Sequence, residues 1–332
     1  MQISRENNFD LIRLILAILV FFAHWNILTA QSFSLIIFHL SGYAVDMFFI
    51  VSGFLIFWSF DVDQNKKHFF IKRFFRLFPL YAILIFSQAL FFLFFADNNV
   101  VQIAKYFFSN ILFLNFLNPS VGDMLSHLQV DAINGSLWTV KNEVIFYSLV
   151  PMIFVLYKKF GTYFLIFLYL LSVMYLLVVD YFGNVKLLVQ FPAQLRLFIT
   201  GILLYIFFDT INRKNIFIYS GTSFILIVLF GENSYFHYLF YPIFLGCLVV
   251  LLAFFLKTFE IHVDFSYSFY ILHFPVIQIF LYFKINSGNP LFSFMTLFGL
   301  VLFLSYISEK YIEKRFIQIG KNIIQRNSHG PN

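Results

Sequence analysis

Residues 11–30 read LIRLILAILVFFAHWNILTA, preceded by Phe9 and Asp10. A helix needs about 20 mostly apolar residues to cross a hydrocarbon core roughly 30 Å thick, and this run supplies them. No small-residue cleavage pattern follows it, so it is expected to remain in the chain as a first span. Its polar residues are few: Asp10 and Arg13 near one end, His24 eleven residues past the arginine. The rest of the chain has the same character. Of its 332 residues 61% are hydrophobic and 53 are Phe, while Lys, Arg, Asp and Glu make up only 11%, against about 25% in a soluble domain. So few charges cannot cover a water-facing surface for a chain of this size, and the apolar excess is expected to face lipid. The same numbers exclude a disordered chain, and a lone cysteine, Cys247, excludes a disulfide scaffold. The net charge of +6 is expected to mark basic loops on one membrane face, with no nucleic-acid partner.

Comparable runs occur at 42–60, 77–96, 137–157, 162–180, 191–208, 216–230, 236–256, 266–284 and 291–308, making ten with the first. Tyr106–Leu117 is apolar but too short to cross, and is expected to be interfacial or re-entrant. With the first residue inside, Arg5, Lys66, Lys67, Lys72, Arg73, Arg76, Lys158, Lys159, Arg213, Lys214, Lys257, Lys310, Lys314, Arg315, Lys321 and Arg326 fall on the cytoplasmic side. Lys105, Lys141, Lys186 and Lys284 fall on or near the outer side. That bias alternates loop by loop as the positive-inside rule expects. An eleventh span at Tyr106–Leu117 would put the later basic loops outside. The expectation is an all-α polytopic membrane bundle of about ten transmembrane helices with both termini cytoplasmic. Residues 1–310 would form the transmembrane domain and 311–332 a basic cytoplasmic tail. No internal repeat and no appended soluble domain are expected. The segment KKHFFIKRFFRLF, Lys66 to Phe78, reads as an interfacial helix facing anionic headgroups, or more sharply as a cytoplasmic anion site; the first reading is favoured.

Charges at membrane depth cost at least about 2.5–3.5 kcal/mol each and need a reason. Asp10, Arg13, His24, Asp46, Glu143, Arg196 and His273 are the candidates. Arg13 and His24 lie about 20° apart around one helix and roughly 16 Å apart along it. Counting rise from the span edges puts His24 about 10 Å, Asp46 roughly 6 Å and Glu143 roughly 9 Å below the outer surface, with Arg196 at a similar level. His273 counts to roughly 10 Å above the inner edge. Four ionisable groups from four spans thus share a layer. A histidine oriented by a carboxylate is a general-base unit; the same cluster serves equally as a proton relay in a transporter or flippase. Physical chemistry alone leaves those two readings even.

The residues around these positions resemble the acyltransferase 3 family of bacterial integral-membrane acyltransferases across most of the chain. Six segments carry the resemblance, in order: Phe9-Asp10-Leu11-Ile12-Arg13 through His24; Gly42 with Val45-Asp46-Met47-Phe48-Phe49-Ile50-Val51-Ser52-Gly53-Phe54-Leu55; Ile71-Lys72-Arg73 with Arg76-Leu77-Phe78-Pro79-Leu80-Tyr81; Trp138-Thr139-Val140-Lys141-Asn142-Glu143 with Phe146-Tyr147 and Pro151; Arg196, Phe198 and Gly201; and Ser266-Tyr267-Ser268-Phe269-Tyr270-Ile271-Leu272-His273-Phe274-Pro275. Val144 and Ile145 depart from the polar residues many members carry after the glutamate.

The resemblance implies a multi-pass enzyme of the bacterial cytoplasmic (inner) membrane. It would move an acyl group, usually acetyl, from acyl-CoA as co-substrate to a hydroxyl of a cell-surface carbohydrate or glycolipid precursor, with no metal. The catalytic residues expected on that reading are His24, as base or acyl carrier, with Asp46 or Glu143 orienting it. Arg13, Arg73, Arg76 and His273 are expected on the donor path. Ser52, Trp138, Tyr147 and Arg196 are expected on the acceptor side or in support. For Ser52 a Ser-Gly helix contact is the commoner explanation, and Trp138 and Tyr147 are at least as well explained as interfacial aromatics.

Overall fold

The computed structural model describes residues 7–30, 35–96, 100–261, 263–285 and 288–328; Arg5 and the last residues of the basic tail lie outside them. Among the described residues every regular element is helical. That suits lipid, because a helix satisfies its own backbone N–H and C=O groups where no water can. The helices are α1 (Phe9–Thr29), α2 (Leu35–Val62), α3 (Lys66–Phe95), α4 (Val100–Ile111), α5 (Leu137–Phe160), α6 (Thr162–Tyr181), α7 (Val185–Leu188), α8 (Phe191–Ile206), α9 (Arg213–Phe230), α10 (Ser234–Leu239), α11 (Tyr241–Val250), α12 (Ser266–Tyr282), α13 (Pro290–Ser308) and α14 (Lys314–Ser328). Among the described residues seven helical stretches are long and apolar enough to cross a membrane, in α1, α2, α3, α5, α6, α7–α8 and α13–α14. Helices α9, α11 and α12 occupy the other three expected segments.

Several boundaries differ from the sequence reading. Lys66–Phe78 is the opening of one 30-residue helix, α3, which continues through Pro79. The short apolar run is helical from Val100 to Ile111 and then turns, six residues earlier than its hydropathy placed it. Ile103, Tyr106 and Asn110 share its buried face, while Gln102 and Lys105 are exposed beside Val101 and Phe108. The span at 236–256 is broken at Phe240. Asn233 caps α10 by accepting from Phe236 N, and Pro242 opens α11 without an N–H to extend the earlier helix. A π-helical turn, Leu251–Phe255, completes α11. At the other end α13 passes through a π-helical turn, Glu309–Glu313, into α14, so the helix runs on through residue 310.

The chain forms two compact units. The first comprises Met1–Leu16, Gly42–Phe69 and Asn142–Ile261. Its α2 and α8 run parallel: Asp46 attracts Arg196 towards one end, and the Tyr205 hydroxyl donates to Asp61 at 2.7 Å towards the other. Two glycines set their separation. A Cβ on Gly53 would sit 2.1 Å from the Phe198 carbonyl oxygen, and one on Gly201 2.0 Å from that of Ile50. Only hydrogen fits there, so the backbones touch, as small residues permit in membrane helices. Phe198 stacks on Phe146 with 4.2 Å between ring centroids. Asn8 ties the start of the chain to the π-helical turn: its amide donates to the carbonyls of Leu252 and Lys257, both at 3.0 Å, and its Oδ1 accepts from Phe259 N at 2.9 Å. Carbonyls at a helix C-terminus have no intrahelical donors, and Asn8 supplies them.

The second unit comprises Ala17–Ser41, Phe70–Lys141 and His262–Asn332. Its centre is α12, buried from Ser266 through Gln278 except for Tyr267, Leu272 and Val276. Its Phe269 meets Phe298 edge to face, and Phe21 meets Phe294 and Phe298 in the same way. A smaller apolar cluster joins the end of α3 to α4 and the loop at 112–136: Phe92, Ile103, Tyr106, Val121, Leu125 and Ile133. Polar ties hold that loop in place. Asn110 donates to the carbonyls of Tyr106 and Asn118, both at 2.8 Å, and Gln278 Nε2 donates to those of Val130 and Ala132, both at 2.7 Å.

Candidate active site

Pro275 lies inside α12. It has no N–H, so the carbonyl of Ile271, one turn earlier, loses its intrahelical donor. The Asn134 amide replaces that donor at 2.9 Å. Asn134 Oδ1 in turn accepts from Ser136 N at 3.2 Å and Ser136 Oγ at 2.6 Å, fixing the turn. Gly135 between them has no room for a side chain, since a Cβ would meet the Phe274 ring at 2.7 Å. Thr139 Oγ1 bridges the Ser136 carbonyl and the Tyr270 hydroxyl, each at 2.9 Å. A loop is thereby locked against the face of α12 that carries His273.

His273 is wholly buried. Its Nδ1 faces the Phe269 carbonyl oxygen at 3.2 Å, and its Nε2 faces His24 Nδ1 at 2.7 Å. A carbonyl only accepts, so the proton of neutral His273 is on Nδ1 and its Nε2 is an acceptor. The 2.7 Å contact then requires His24 Nδ1 to donate. This leaves the lone pair of His24 on Nε2, which has no hydrogen-bond partner among the described residues. The rings lie 18° from parallel, and Phe274 closes on His24 edge-on with 4.9 Å between centroids. The chain thus fixes the tautomer of a partly exposed histidine so that Nε2 is its basic nitrogen.

The depth count had placed His24 and His273 in different halves of the bilayer. It assumed that each span begins at a membrane edge and runs straight across; α12 does begin at Ser266, as expected, but residue counting carries no tilt or offset between spans. The pairing also gives His273 a contact that the donor-path expectation did not contain.

In the first unit the other expected residues fall into two sets of contacts. Glu143 Oε1 accepts from Ser52 Oγ at 3.2 Å and from the Tyr147 hydroxyl in a short hydrogen bond. Its Oε2 has no hydrogen bond among the described residues. Tyr147 follows Glu143 by one helical turn, the spacing that lets two side chains meet on one helix face. Asp46 Oδ2 accepts from the Tyr241 hydroxyl at 2.9 Å. Arg196 is buried and donates to the His237 carbonyl at 3.0 Å, while its backbone N–H donates to Ser172 Oγ at 3.0 Å. Asp46 and Arg196 thus tie α2, α6, α8, α10 and α11 together. Arg13 is part-buried in α1, as is Trp138 in α5.

Arg76 of the second unit is held by two carboxylates, Asp264 Oδ2 at 2.6 Å and Glu313 Oε2 at 3.6 Å. Arg73, one turn earlier in α3, is part-buried. Sequence reasoning missed Asp264, Glu313, Asn134, Thr139 and Tyr270. Pro275 was the one signal that pointed to Asn134, because a proline inside a helix predicts an orphaned carbonyl four residues back.

The chain thus combines several helices long and apolar enough to cross a membrane with a histidine pair whose hydrogen bond has a fixed direction. Across residues 6–310 the chain matches the acyltransferase 3 family, described as an acyltransferase domain, and it belongs to that family. It is similar to "O-acetyl transferase" of Shigella phage Sf6, 29% identical over 333 residues that cover 94% of this chain and 96% of that protein. It is also similar to "Nodulation protein 10" of Rhizobium leguminosarum bv. viciae, 29% identical over 172 residues; this match spans 47% of the chain and about half, 46%, of that protein. No solved structure matches the chain. The chain is an O-acetyltransferase-like membrane enzyme.

Proposed function

We propose that this chain moves an acyl group, acetyl in the simplest case, from acyl-CoA to a hydroxyl of a cell-surface carbohydrate or its lipid-linked precursor, in the bacterial cytoplasmic (inner) membrane. The proposed topology has ten spans with both termini cytoplasmic. It is supported by helices in all ten apolar segments and by basic residues that alternate with them.

The observation that carries the chemistry is the His24–His273 contact at 2.7 Å. His24 Nε2 takes the proton of the acceptor hydroxyl as that oxygen attacks the thioester carbonyl. The tetrahedral intermediate then breaks its C–S bond. The coenzyme A thiolate leaves and recovers the proton from the His24 imidazolium, and the acceptor keeps the acyl group as an ester. His273 is the positioning residue: its Nε2 accepts from His24 Nδ1–H throughout and stabilises the imidazolium while it lasts. Glu143, with one oxygen pinned and the other unbonded, is assigned to the acceptor, with Ser52 and Tyr147 orienting it. Arg13 and Arg73 are assigned to the donor phosphates, where a guanidinium pairs well with phosphate oxygens.

The test uses the full chain in inverted membrane vesicles, supplied with acetyl-labelled acetyl-CoA. Label is expected to enter the polysaccharide or glycolipid fraction with the native chain and to be lost with His24→Ala at equal protein level. Undiminished labelling by that variant overturns the assignment. Mass spectrometry of surface glycans from a deletion strain identifies the acceptor by the ester it lacks.

A further inference from the structure

A cavity of about 530 Å³ opens in the second unit where α3 ends, between the loop at 119–128 and the last turn of α12. Its volume falls within the roughly 300–1,000 Å³ of small-molecule sites. Gln102, Asp123, His127 and Tyr282 supply the polar groups, and Phe95 and Met124 supply apolar wall. The walls are built rather than incidental. Met124 and Tyr282 pack on the apolar cluster of Phe92, Tyr106 and Leu125. Tyr282 meets Phe91 edge-on with 5.5 Å between centroids and His127 with 5.9 Å. Gly122 has φ +53°, and a Cβ on it would approach the Gln102 side-chain oxygen to 3.2 Å, so the loop turns where a glycine allows the amide in. The Asp123 carboxylate has no hydrogen bond or ion pair among the described residues.

The lining decides the class of ligand. Among the described residues it contains no Lys or Arg, and it does contain a carboxylate, so it repels phosphates and is unsuited to coenzyme A. Four polar side chains make it unsuited to a lipid tail. A phenol ring and an imidazole beside a carboxylate and an amide fit a neutral sugar. Its C–H face packs on the rings, and its hydroxyls donate to Asp123 and exchange hydrogen bonds with Gln102. We infer that this cavity is a saccharide subsite for the acceptor. Tyr282 is nine residues beyond His273 on α12, about 14 Å along its axis. The subsite therefore holds a sugar unit other than the one being esterified, and favours extended acceptors over single sugars. This inference rests on the carbohydrate-acceptor reading above.

The full chain in lipid nanodiscs is tested by saturation-transfer NMR against neutral mono- and trisaccharides of hexoses, 6-deoxyhexoses and N-acetylhexosamines, with coenzyme A as the phosphate-bearing comparison. At least one trisaccharide is expected to bind more tightly than its monosaccharide. Asp123→Asn and Tyr282→Ala are each expected to weaken it at least fivefold and leave coenzyme A binding unchanged. Asp123 is exposed and its replacement nearly isosteric, so that variant guards against a folding defect at Tyr282. Saccharide binding that both variants leave intact overturns the subsite alone. Failure of every saccharide to bind the native chain, with coenzyme A still bound, overturns the carbohydrate-acceptor reading and the subsite with it.

Discussion

His24 and His273, 249 positions apart in sequence, share one hydrogen bond of 2.7 Å, and the carbonyl of Phe269 fixes its direction. The pair is directional: protons are held on the two Nδ1 atoms and basicity is delivered at His24 Nε2.

Removing the orienting ring should therefore cost turnover more than affinity. His24→Ala is expected to lower kcat by about 10²–10⁴-fold, the usual contribution of a general base. His273→Ala is expected to lower kcat by on the order of 10²-fold, because His24 can then rest in the wrong tautomer. His273→Gln keeps an acceptor near the former Nε2 and should recover part of that loss. Steady-state kinetics with acetyl-CoA check all three. A rise in KM with kcat unchanged in His273→Ala would place His273 on the donor path and not behind the base.

The α2–α8 contact makes a sharper stability prediction. Gly201→Ala puts a methyl 2.0 Å from the Ile50 carbonyl oxygen, and backbone cannot move aside as a flexible side chain could. The expected cost is at least the roughly 1–3 kcal/mol of an overpacked core, read as a lower melting temperature in detergent. Gly221→Ala is the control: nothing lies within 4 Å of its Cβ position, and alanine in a helix is favoured over glycine by about 0.8–1 kcal/mol. It should match or exceed the native chain in stability.

Arg76 separates a structural role from a donor-binding one. Its guanidinium faces Asp264 and the buried Glu313. Loss of one partner from a buried pair costs about 3–5 kcal/mol, and here the lower end applies because Arg76 and Asp264 keep some solvent access. Arg76→Ala is expected to lower the melting temperature, and Arg76→Ala with Glu313→Gln to recover part of the drop. A variant of native stability with a raised KM for acetyl-CoA would return Arg76 to the donor phosphates.

How much of this was legible beforehand follows from what a single sequence encodes. Hydropathy located each apolar segment because the bilayer sets span length directly, while the orientation still rests on the positions of the basic residues from Lys66 to Arg326 alone. His24 stood out because a histidine at that depth has no route to water. Its partner did not, since counting residues from assumed membrane edges gives depth along a helix without rotation or tilt. The Arg76–Asp264–Glu313 contacts were hidden for a related reason. Asp264 lies in an irregular segment whose path no periodicity describes, and Glu313 lies in a π-helical turn that shifts the register of the face it sits on. Nothing in the residues beside Asn8 marks it as more than a polar residue before a span. Only the returning end of the π-helical turn at 251–255 shows why an amide is needed there.

Pro275 and Asn134 should prove energetically coupled. The proline orphans the Ile271 carbonyl and the asparagine amide satisfies it at 2.9 Å. In the native chain Asn134→Ala leaves a buried acceptor unmet, at a cost of about 1–3 kcal/mol. In a Pro275→Ala background the new backbone N–H restores the intrahelical bond, so the same substitution should cost less. A double-mutant cycle on melting temperature is expected to give a coupling within the roughly 0.5–3 kcal/mol seen for residues that share a partner. Strict additivity would mean that Asn134 acts only through its turn with Ser136, and that the loop reaches α12 by packing of Phe274 against Gly135 alone. Since the orphaned carbonyl lies only two residues from His273, the Asn134 variant should also lower kcat more than its stability loss accounts for.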